Sequence, residues 1–446
     1  MIGLLTHTIQ RIDSLEQFYQ LEYKNIERKS KKGTNENRFG MLIDVYLNAL
    51  TYADEEYKNT ESFKALEKLM KKCIEVKNFS EDDNKKTISF TLKKGKYIKD
   101  TENFDVRKKA VEYQKYAEMP QIHSSNTLIM LIVRFEEFIS NFITSIFLMF
   151  PDKYLNNKCV HFSEIEDLGT EEIKENIIIR EVEGIMHQSY TEWFKLFESH
   201  KMSFEQCKEE MLLLREIYAR RNILVHNSGR VNNIYLKNVP DSKYKSGDLL
   251  TVDNTYLVNA FATIKTLIFA IIIESNKFNR DDKANLLDEV FGQGFEEMSK
   301  EHYSISAKVF DILQSIKSQS EQDRLASKVN YWISTKEIYG LSAIRKELDD
   351  FDTTALNTMF CLAKQLLLDD YDNATKSIEY MLSKDEINAT IINDWPLFKN
   401  YRATSNFEEL KTRNKEKFNL TILEPESSTE KPDISIRSEL NEIGNE

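Results

Sequence analysis

One short stretch of the chain contains the residue types needed for acid–base chemistry on a phosphate ester. It holds, near the end of a predicted long helix, Arg220, Arg221, Asn222, His226, Asn227 and Gly229. Arginine forks onto phosphate oxygens with a permanent charge, and histidine exchanges protons near neutral pH. Together they suffice for cutting RNA without a metal ion, because one group stabilises negative charge while the other moves a proton.

The helical spacing restricts how these residues can cooperate. Arg221 and His226 are five residues apart, which places them about 140° apart around a helix axis. Asn222 lies four residues before His226, so these two side chains share a face. One phosphate can meet both Arg221 and His226 only through long side-chain reach, or by taking each from a different subunit. The spacing therefore predicts a two-fold homodimer.

The charge around this stretch differs from that of the whole chain. The chain has a formal charge of −12, which argues against a general nucleic-acid coat, whereas residues 211–245 hold seven basic and two acidic residues, a net of +5. Arg215 and Arg230 belong to this basic segment and are predicted phosphate contacts, as is the amide of Asn227. Arg220 has two interpretations, phosphate binding or an ion pair with Glu216 four residues earlier.

The elements that position this stretch form a predicted helical bundle over residues 120–278. The first helix starts at Ser124 or Ser125 and ends before Pro151, and the second covers about residues 171–197. The third begins at a capping-box pattern at residues 203–206 and ends at Gly229, and the fourth begins at about Asp253. Four long apolar helices with short connections predict a four-helix bundle.

The flanking regions are also predicted to be helical, since 12 Gly and 6 Pro in 446 residues leave little material for turns. Residues 1–115 form a mainly helical region with polar loops such as 29–37 and a small hairpin near 87–98. Residues 280–415 contain helical pairs that resemble tetratricopeptide units, with Ala374 at the close approach of two helices. Residues 416–446 form an acidic disordered tail. The predicted fold class is mostly all-α.

Other kinds of chemistry have no anchor in the sequence. No phosphate-binding glycine loop, dinucleotide fingerprint or zinc-peptidase motif occurs, and the four scattered cysteines predict neither a disulfide framework nor a metal site. We expect no cofactor and a cytoplasmic location, with no secretion signal. Residues 128–150 are apolar but interrupted by charges, which favours a buried helix over a membrane span. The acidic pairs Glu136-Glu137 and Asp369-Asp370, and the six other histidines, are expected to be surface or structural residues.

A longer string of residues resembles a known family. Glu216, residues 219–222, residues 225–227, Gly229, residues 231–232 and residues 235–236 together resemble the active-site helix of the HEPN superfamily, the "higher eukaryotes and prokaryotes nucleotide-binding" helical domains. The resemblance covers about residues 124–276, roughly a third of the chain. It implies a four-helix bundle that dimerises, with the two arginine–histidine motifs facing each other.

The resemblance also implies an activity. Catalytic HEPN members are metal-independent endoribonucleases in which a ribose 2′-hydroxyl attacks the adjacent phosphorus. By this resemblance Arg221 would hold the phosphate oxygens, His226 would transfer a proton, and Asn222 would position the imidazole or the phosphate. RNA and a second copy of the chain are the implied partners, and microbial defence or a toxin role is the implied context.

Two alternatives remain open from the sequence. The bundle could be a non-catalytic module for dimerisation, with the C-terminal helices holding a protein partner, since the family contains such members. The chain could also be a toxin that a separate antitoxin masks or modifies, and Tyr218, one turn before Asn222, would be an accessible point for that modification.

Overall fold

The predicted fold class is confirmed. The computed structural model describes residues 1–82, 85–156, 158, 169–278, 283–316 and 319–419, and about three quarters of these are helical, with two short strands. The chain divides into two compact units, residues 1–290 and 291–446. The sequence separated residues 1–115 from 120–278, but one helix crosses that boundary and both segments belong to the first unit.

The first unit contains most of the long helices. In chain order its elements are α1 (Ile2–Tyr52), α2 (Glu55–Lys58), α3 (Glu61–Met70), β1 (Ile74–Asp82), β2 (Lys85–Leu92), α4 (Val106–Met149), α5 (Pro151–Tyr154), α6 (Thr170–Met186), α7 (Tyr190–Ser199), α8 (Lys208–His226), α9 (Asn233–Asn238) and α10 (Asn254–Ser275). The division between the units falls within α11 (Lys283–Ser299).

Helices α1 and α4 pack against each other as a long antiparallel pair. The predicted polar loop at residues 29–37 is wrong, because α1 continues through it without a break. The two glycines in this part of α1 lie where α4 comes closest. A Cβ atom on Gly33 would lie 2.1 Å from Tyr116 Cγ, and one on Gly40 would lie 2.3 Å from Lys109 Cβ. These glycines allow close helix packing rather than ending the helix.

The N-terminal hairpin lies earlier in the chain than predicted. Strand β2 includes the predicted strand residues Ile88–Leu92, but its antiparallel partner is β1, which precedes it, with Ile74 opposite Leu92. The sequence placed the turn after β2, at the glycine-containing residues 93–96. In the structure the chain reverses between Asp82 and Lys85 instead, and residues 83 and 84 lie outside the described part of the chain.

The predicted bundle of four apolar helical segments is present, with one added member. Helix α4 packs against α6, α8 and α10, and α1 adds a fifth helix against α4 and α10. The fully buried Lys265 of α10 lies 2.6 Å from Asp13 and 2.9 Å from Glu16 of α1. A buried lysine needs such partners, so this ion cluster ties α1 to the bundle.

Helix α10, not residues 128–150, is the helix long and apolar enough to cross a membrane, among the residues described. An 18-residue segment of this helix has a mean hydropathy of 2.0, but 78% of that segment is buried inside the structure. The central helix of a helical bundle has the same length and composition. Burial against three neighbouring helices accounts for the apolar residues of α10.

Several predicted helix boundaries are corrected. Helix α4 begins at Val106, where Asp105 accepts a hydrogen bond from the Lys108 backbone, and not at Ser124 or Ser125. The predicted helix 171–197 breaks into α6 and α7, where the Trp193 indole donates to the Ile185 carbonyl at 2.9 Å. The capping box at residues 203–206 does not form, since a 3₁₀ turn at Glu205–Cys207 precedes α8.

The second unit is a set of shorter helices. Its elements are α12 (Tyr303–Gln314), α13 (Glu321–Tyr339), α14 (Arg345–Asp349), α15 (Thr358–Leu367), α16 (Tyr371–Ser383), α17 (Ala389–Asp394), α18 (Ser405–Arg413) and α19 (Lys415–Asn419). Helices α15 and α16 form the predicted helix–turn–helix pair, and Ala374 is fully buried. Of the predicted acidic tail, residues 416–419 belong to α19, and residues 420–446 lie outside the described residues.

Candidate functional site

Helix α8 carries the arginine–histidine stretch and ends at His226. Asn227 and Gly229 both donate backbone hydrogen bonds to the Ile223 carbonyl, at 2.9 Å each. Ser228 and Gly229 adopt left-handed conformations, with φ of 49° and 74°. A Cβ atom on Gly229 would also lie 3.2 Å from the Leu250 carbonyl oxygen. This turn therefore needs glycine, as predicted, and it makes His226 the last residue of the helix.

The segment after the turn is held by backbone hydrogen bonds. Arg230 pairs with Leu249 as an antiparallel bridge, and its guanidinium donates to the Gly247 carbonyl at 3.1 Å. The Asn227 amide donates to the Arg230 carbonyl. Asn227 and Arg230 thus stabilise the loop beside the helix end, although Arg230 is exposed and keeps other guanidinium N–H groups for a ligand.

Arg220 lies in a closed network of polar groups. Its side chain is only 7% exposed and donates to Glu216 at 2.8 Å and to the Thr251 carbonyl. Its guanidinium also lies 3.9 Å from the centre of the Tyr256 ring. Glu216 accepts two further hydrogen bonds, from Tyr235 at 2.9 Å and from Tyr256 at 2.6 Å. This geometry favours the ion-pair interpretation of Arg220 over phosphate binding.

The protonation of this network follows from its burial. Burial and the neighbouring Glu216 carboxylate raise the pKa of Tyr235 to about 12 and raise that of Tyr256 well above its ordinary value. Burial opposes the charge on Arg220, but Tyr256 and Glu216 together raise its pKa. Tyr235 and Tyr256 therefore stay neutral and Arg220 stays charged at neutral pH, and the network links α8 to α9 and α10.

Arg221 lies on another side of α8, beside α4. Burial raises the pKa of Glu136 on α4, and the positive charge of Arg221 opposes this rise. Burial and the neighbouring Glu136 carboxylate together raise the pKa of Tyr218 well above its ordinary range. Tyr218 stacks on Tyr190 with ring centres 5.3 Å apart. We call Glu136, Tyr190, Tyr218 and Arg221 the Arg221 cluster.

Arg215 is near the same side of α8. It lies close enough to Tyr190 to lower the pKa of that hydroxyl, against the larger effect of burial. Its Nε atom is buried without a hydrogen-bond partner among the described residues, as are the Arg221 Nε atom and the Tyr218 hydroxyl. Such unmet groups are rare inside proteins and mark a place where a ligand or water is expected to bind.

Asn222 and His226 line an open pocket on a third side of the helix end. The pocket has a volume of about 310 Å³, and its walls include Ile223 as well as Asn232, Ile234 and Asn238 from the segment of α9. Asn222 is also the link to Arg221, whose guanidinium donates to the Asn222 amide oxygen at 3.2 Å. Arg221 is not part of the pocket wall, so the expected divergence of Arg221 and His226 is present in the structure.

The structure therefore brings together only part of the residue set that the sequence singled out. Asn222 and His226 share a pocket with Arg221 at its edge, whereas Arg220 is buried elsewhere. Glu136 was predicted to face solvent, but it is half-buried, with Tyr218 and Arg221 of α8 near its carboxyl group. A signal for it existed, since Glu136 continues a helical stripe of fully buried residues, namely Ile132, Ile139 and Ile143.

The remaining histidines have other surroundings, apart from His161, which lies outside the described residues. His123 stacks on Tyr19 with ring centres 5.1 Å apart, and His302 contacts Glu297 at 2.8 Å. Within the described ranges, no group of three or more His, Cys, Asp or Glu side chains is arranged to hold a metal ion. His226 differs from these in sharing an open pocket with three asparagines, Asn222, Asn232 and Asn238.

Comparison with known proteins adds no further constraint. A scan against protein-family models, a search of curated proteins and a search of solved structures each found no match. The fold and site define a mostly helical protein with an arginine, an asparagine and a histidine at one exposed helix end. Function must be inferred from the chemistry of that helix end.

Proposed function

We propose that the chain is a metal-independent endoribonuclease that acts as a homodimer. The observation that carries the proposal is the exposed end of α8, where His226 and Asn222 share an open pocket and Arg221 contacts Asn222. A proton-transferring imidazole and a permanent cation are the two groups that RNA transesterification requires. The resemblance of residues 216–236 to the HEPN active-site helix supports the same activity.

The reaction needs two proton transfers and stabilisation of one charged phosphorus centre. The ribose 2′-oxygen attacks the adjacent phosphorus while His226 accepts the 2′-hydroxyl proton. The bond from phosphorus to the 5′-oxygen breaks, and the partner subunit's His226 supplies a proton to that leaving oxygen. Arg221 stabilises the non-bridging oxygens as negative charge accumulates. The products are a 2′,3′-cyclic phosphate and a free 5′-hydroxyl.

The divergence of Arg221 and His226 is the reason for proposing a dimer. In one chain Arg221 lies beside Glu136 on α4, while His226 lines the pocket near α9. A two-fold axis beside the end of α8 would place Arg221 of one copy near His226 of the other. Each chain then supplies half of one composite site, and the monomer is expected to be inactive.

The test is RNA cleavage in excess chelator. Wild-type protein is expected to cleave RNA, and His226→Ala or Arg221→Ala is expected to reduce the rate by about a hundredfold to ten-thousandfold. His187→Ala is the matched control, since His187 is an exposed histidine just beyond the end of α6. Products should carry cyclic phosphates. Cleavage that requires a divalent metal, or that persists in His226→Ala, would contradict the proposal.

A non-catalytic interaction protein is the second candidate. It is favoured by the position of Arg221, whose charge faces Glu136 and is therefore partly neutralised within the chain. In that case the bundle serves dimerisation, and the α15–α16 pair or its neighbours hold a protein partner. An absence of RNA cleavage together with a stoichiometric partner in purified native complexes would favour it. A role as a toxin or defence effector belongs to the first candidate and rests on analogy alone.

A further inference from the structure

We infer that the pocket beside His226 is a recognition site for one nucleobase, and that it prefers uracil, the RNA base with two carbonyl groups and no amino group. This inference rests on the proposed function, because it assigns a sequence preference to the same site. The pocket volume of about 310 Å³ lies at the lower end of the range for small-molecule sites. Such a volume suits a single planar base better than a folded peptide segment.

The walls of the pocket combine the two kinds of surface that a base presents. Ile223 and Ile234 supply apolar surface, and Ile234 is 70% exposed, which is unusual for a large apolar side chain. Asn222, Asn232 and Asn238 supply amide groups. A base has apolar faces and polar edges of matching size, and amide side chains are well suited to reading those edges.

The orientations of two amides are determined by their partners. Asn222 Oδ1 accepts from the Arg221 guanidinium at 3.2 Å, and Asn232 Oδ1 accepts from the Tyr235 backbone N–H at 2.9 Å. Both partners can only donate, so these two amides must turn their oxygens toward them. Their Nδ2 groups are then the atoms left for a ligand, and both are donors.

Asn238 completes the pocket with an uncommitted amide. It is exposed at the end of α9 and its side chain makes no hydrogen bond within the described part of the chain. The amides of Asn222 and Asn232 therefore face a ligand mainly as donors, and only the Asn238 amide is free to present either its nitrogen or its oxygen. A surplus of donors favours uracil, which presents two carbonyl oxygens, over adenine, cytosine and guanine, each of which carries an amino group.

The position of the pocket explains how base recognition would assist cleavage. Asn222 and His226 belong both to the pocket and to the proposed catalytic residues. A base held by Asn238 and Asn232 would therefore fix its own ribose and phosphate close to the imidazole. An orientation effect of this kind raises the rate at the preferred nucleotide more than binding elsewhere along the RNA.

Two measurements test the inference separately from the activity. First, cleavage positions are mapped in a random RNA pool. Wild-type protein is expected to favour sites next to uridine, and Asn238→Ala should reduce that preference by about tenfold. Asn233→Ala is the matched control, because Asn233 is an exposed asparagine on the same short helix but outside the pocket. It should keep the wild-type preference.

Second, binding of the mononucleotides UMP, GMP, AMP and CMP is measured by equilibrium dialysis, which needs no cleavage. UMP should bind at least several-fold more tightly than GMP, AMP and CMP, and Asn238→Ala should weaken the binding of UMP. Equal binding of all four, or an unchanged cleavage preference in Asn238→Ala, would overturn the inference. Selective mononucleotide binding without RNA cleavage would support the pocket while the proposed catalytic function fails.

Discussion

Two neighbouring arginines on α8 lie near two different glutamates, but among the described residues only Arg220 forms a hydrogen-bonded ion pair with its glutamate. Glu216 accepts hydrogen bonds from Arg220, Tyr235 and Tyr256, and Arg220 donates in addition to a backbone carbonyl. In the Arg221 cluster, by contrast, the Arg221 Nε atom and the Tyr218 hydroxyl are buried without a hydrogen bond to any described residue. Arg220 and Arg221 are adjacent, yet Arg220 belongs to a hydrogen-bonded network and Arg221 to a cluster that contains unpaired polar groups.

This difference distinguishes a residue that stabilises the fold from one that serves function, although Arg220 and Arg221 are adjacent in the sequence. A buried charge with all its partners in place stabilises one packing arrangement, whereas buried groups without partners cost free energy. Proteins retain such a cost mainly where a ligand or a reaction uses the unmet groups. The closed Arg220 network is therefore expected to control folding, and the Arg221 cluster is expected to control activity.

The largest expected effect on stability comes from breaking the closed network. Glu216→Gln leaves Arg220 buried without a counter-charge, so we expect a loss of about 3–5 kcal/mol in the free energy of unfolding. Glu67→Gln is the matched control, because Glu67 also pairs with a cation four residues away, Lys71, whose side chain is 69% exposed. That variant should lose about 1 kcal/mol or less.

Two measurements check this prediction. Urea denaturation gives the free energy of unfolding, and hydrogen exchange in peptides from α8 and from α3 reports on the first unit. Equal losses for Glu216→Gln and Glu67→Gln would show that burial of the Arg220 network contributes little. Such a result would also remove the main reason for assigning Arg220 to structure. RNA-cleavage rates of folded Glu216→Gln protein provide the complementary measurement, since a purely structural role predicts a small change there.

A smaller effect distinguishes the two tyrosines of the two networks. Tyr256→Phe removes a donor from the buried Glu216 carboxylate, and we expect it to cost about 1–3 kcal/mol. Tyr218→Phe removes a hydroxyl that has no hydrogen-bond partner among the described residues, so its effect on stability should be within about 0.5 kcal/mol. Thermal and urea unfolding of both variants give the comparison. A greater loss in Tyr218→Phe than in Tyr256→Phe would contradict the contrast between the networks.

The sequence predicted the closed network only in part. Glu216 and Arg220 are four residues apart on a helix, and this spacing alone indicates their ion pair. Tyr235 and Tyr256 join the pair from α9 and α10, which is a consequence of tertiary packing that no local pattern encodes. The helix end at Gly229 was predictable for the opposite reason, because a left-handed turn depends on the residue at that one position.

The Arg221 cluster was harder to predict, since it depends on which face of α4 packs against α8. The sequence indicated that the adjacent Glu136 and Glu137 diverge around the helix axis, but not that the Glu136 side of α4 turns toward α8. The helix across residues 29–37 was wrongly predicted to be a loop, for a related reason. Gly33 usually indicates a break, but here it allows α4 to approach, and only the packed pair of helices reveals that use.

The smallest expected effect concerns the pH dependence of the two adjacent glutamates. Burial raises the pKa of Glu136, so the folded chain holds this proton more tightly than the unfolded chain does. The contribution of Glu136 to stability should therefore fall as the pH rises from 4.5, its ordinary pKa, through its raised pKa in the folded chain. Glu137 has the opposite shift. Burial opposes its charge, but hydrogen bonds from Arg134 and Arg11 lower its pKa, so its contribution should be lost as pH falls.

Glu136→Gln and Glu137→Gln test whether the two glutamates affect the pH dependence of stability in opposite directions. The stability of wild type relative to Glu136→Gln should decrease with rising pH, and that of wild type relative to Glu137→Gln should increase over the acid range. Urea midpoints at several pH values between 3 and 7 measure both differences under one set of conditions. Parallel pH profiles for the two variants would mean that the folded chain stabilises the charged form of Glu136, as it does that of Glu137.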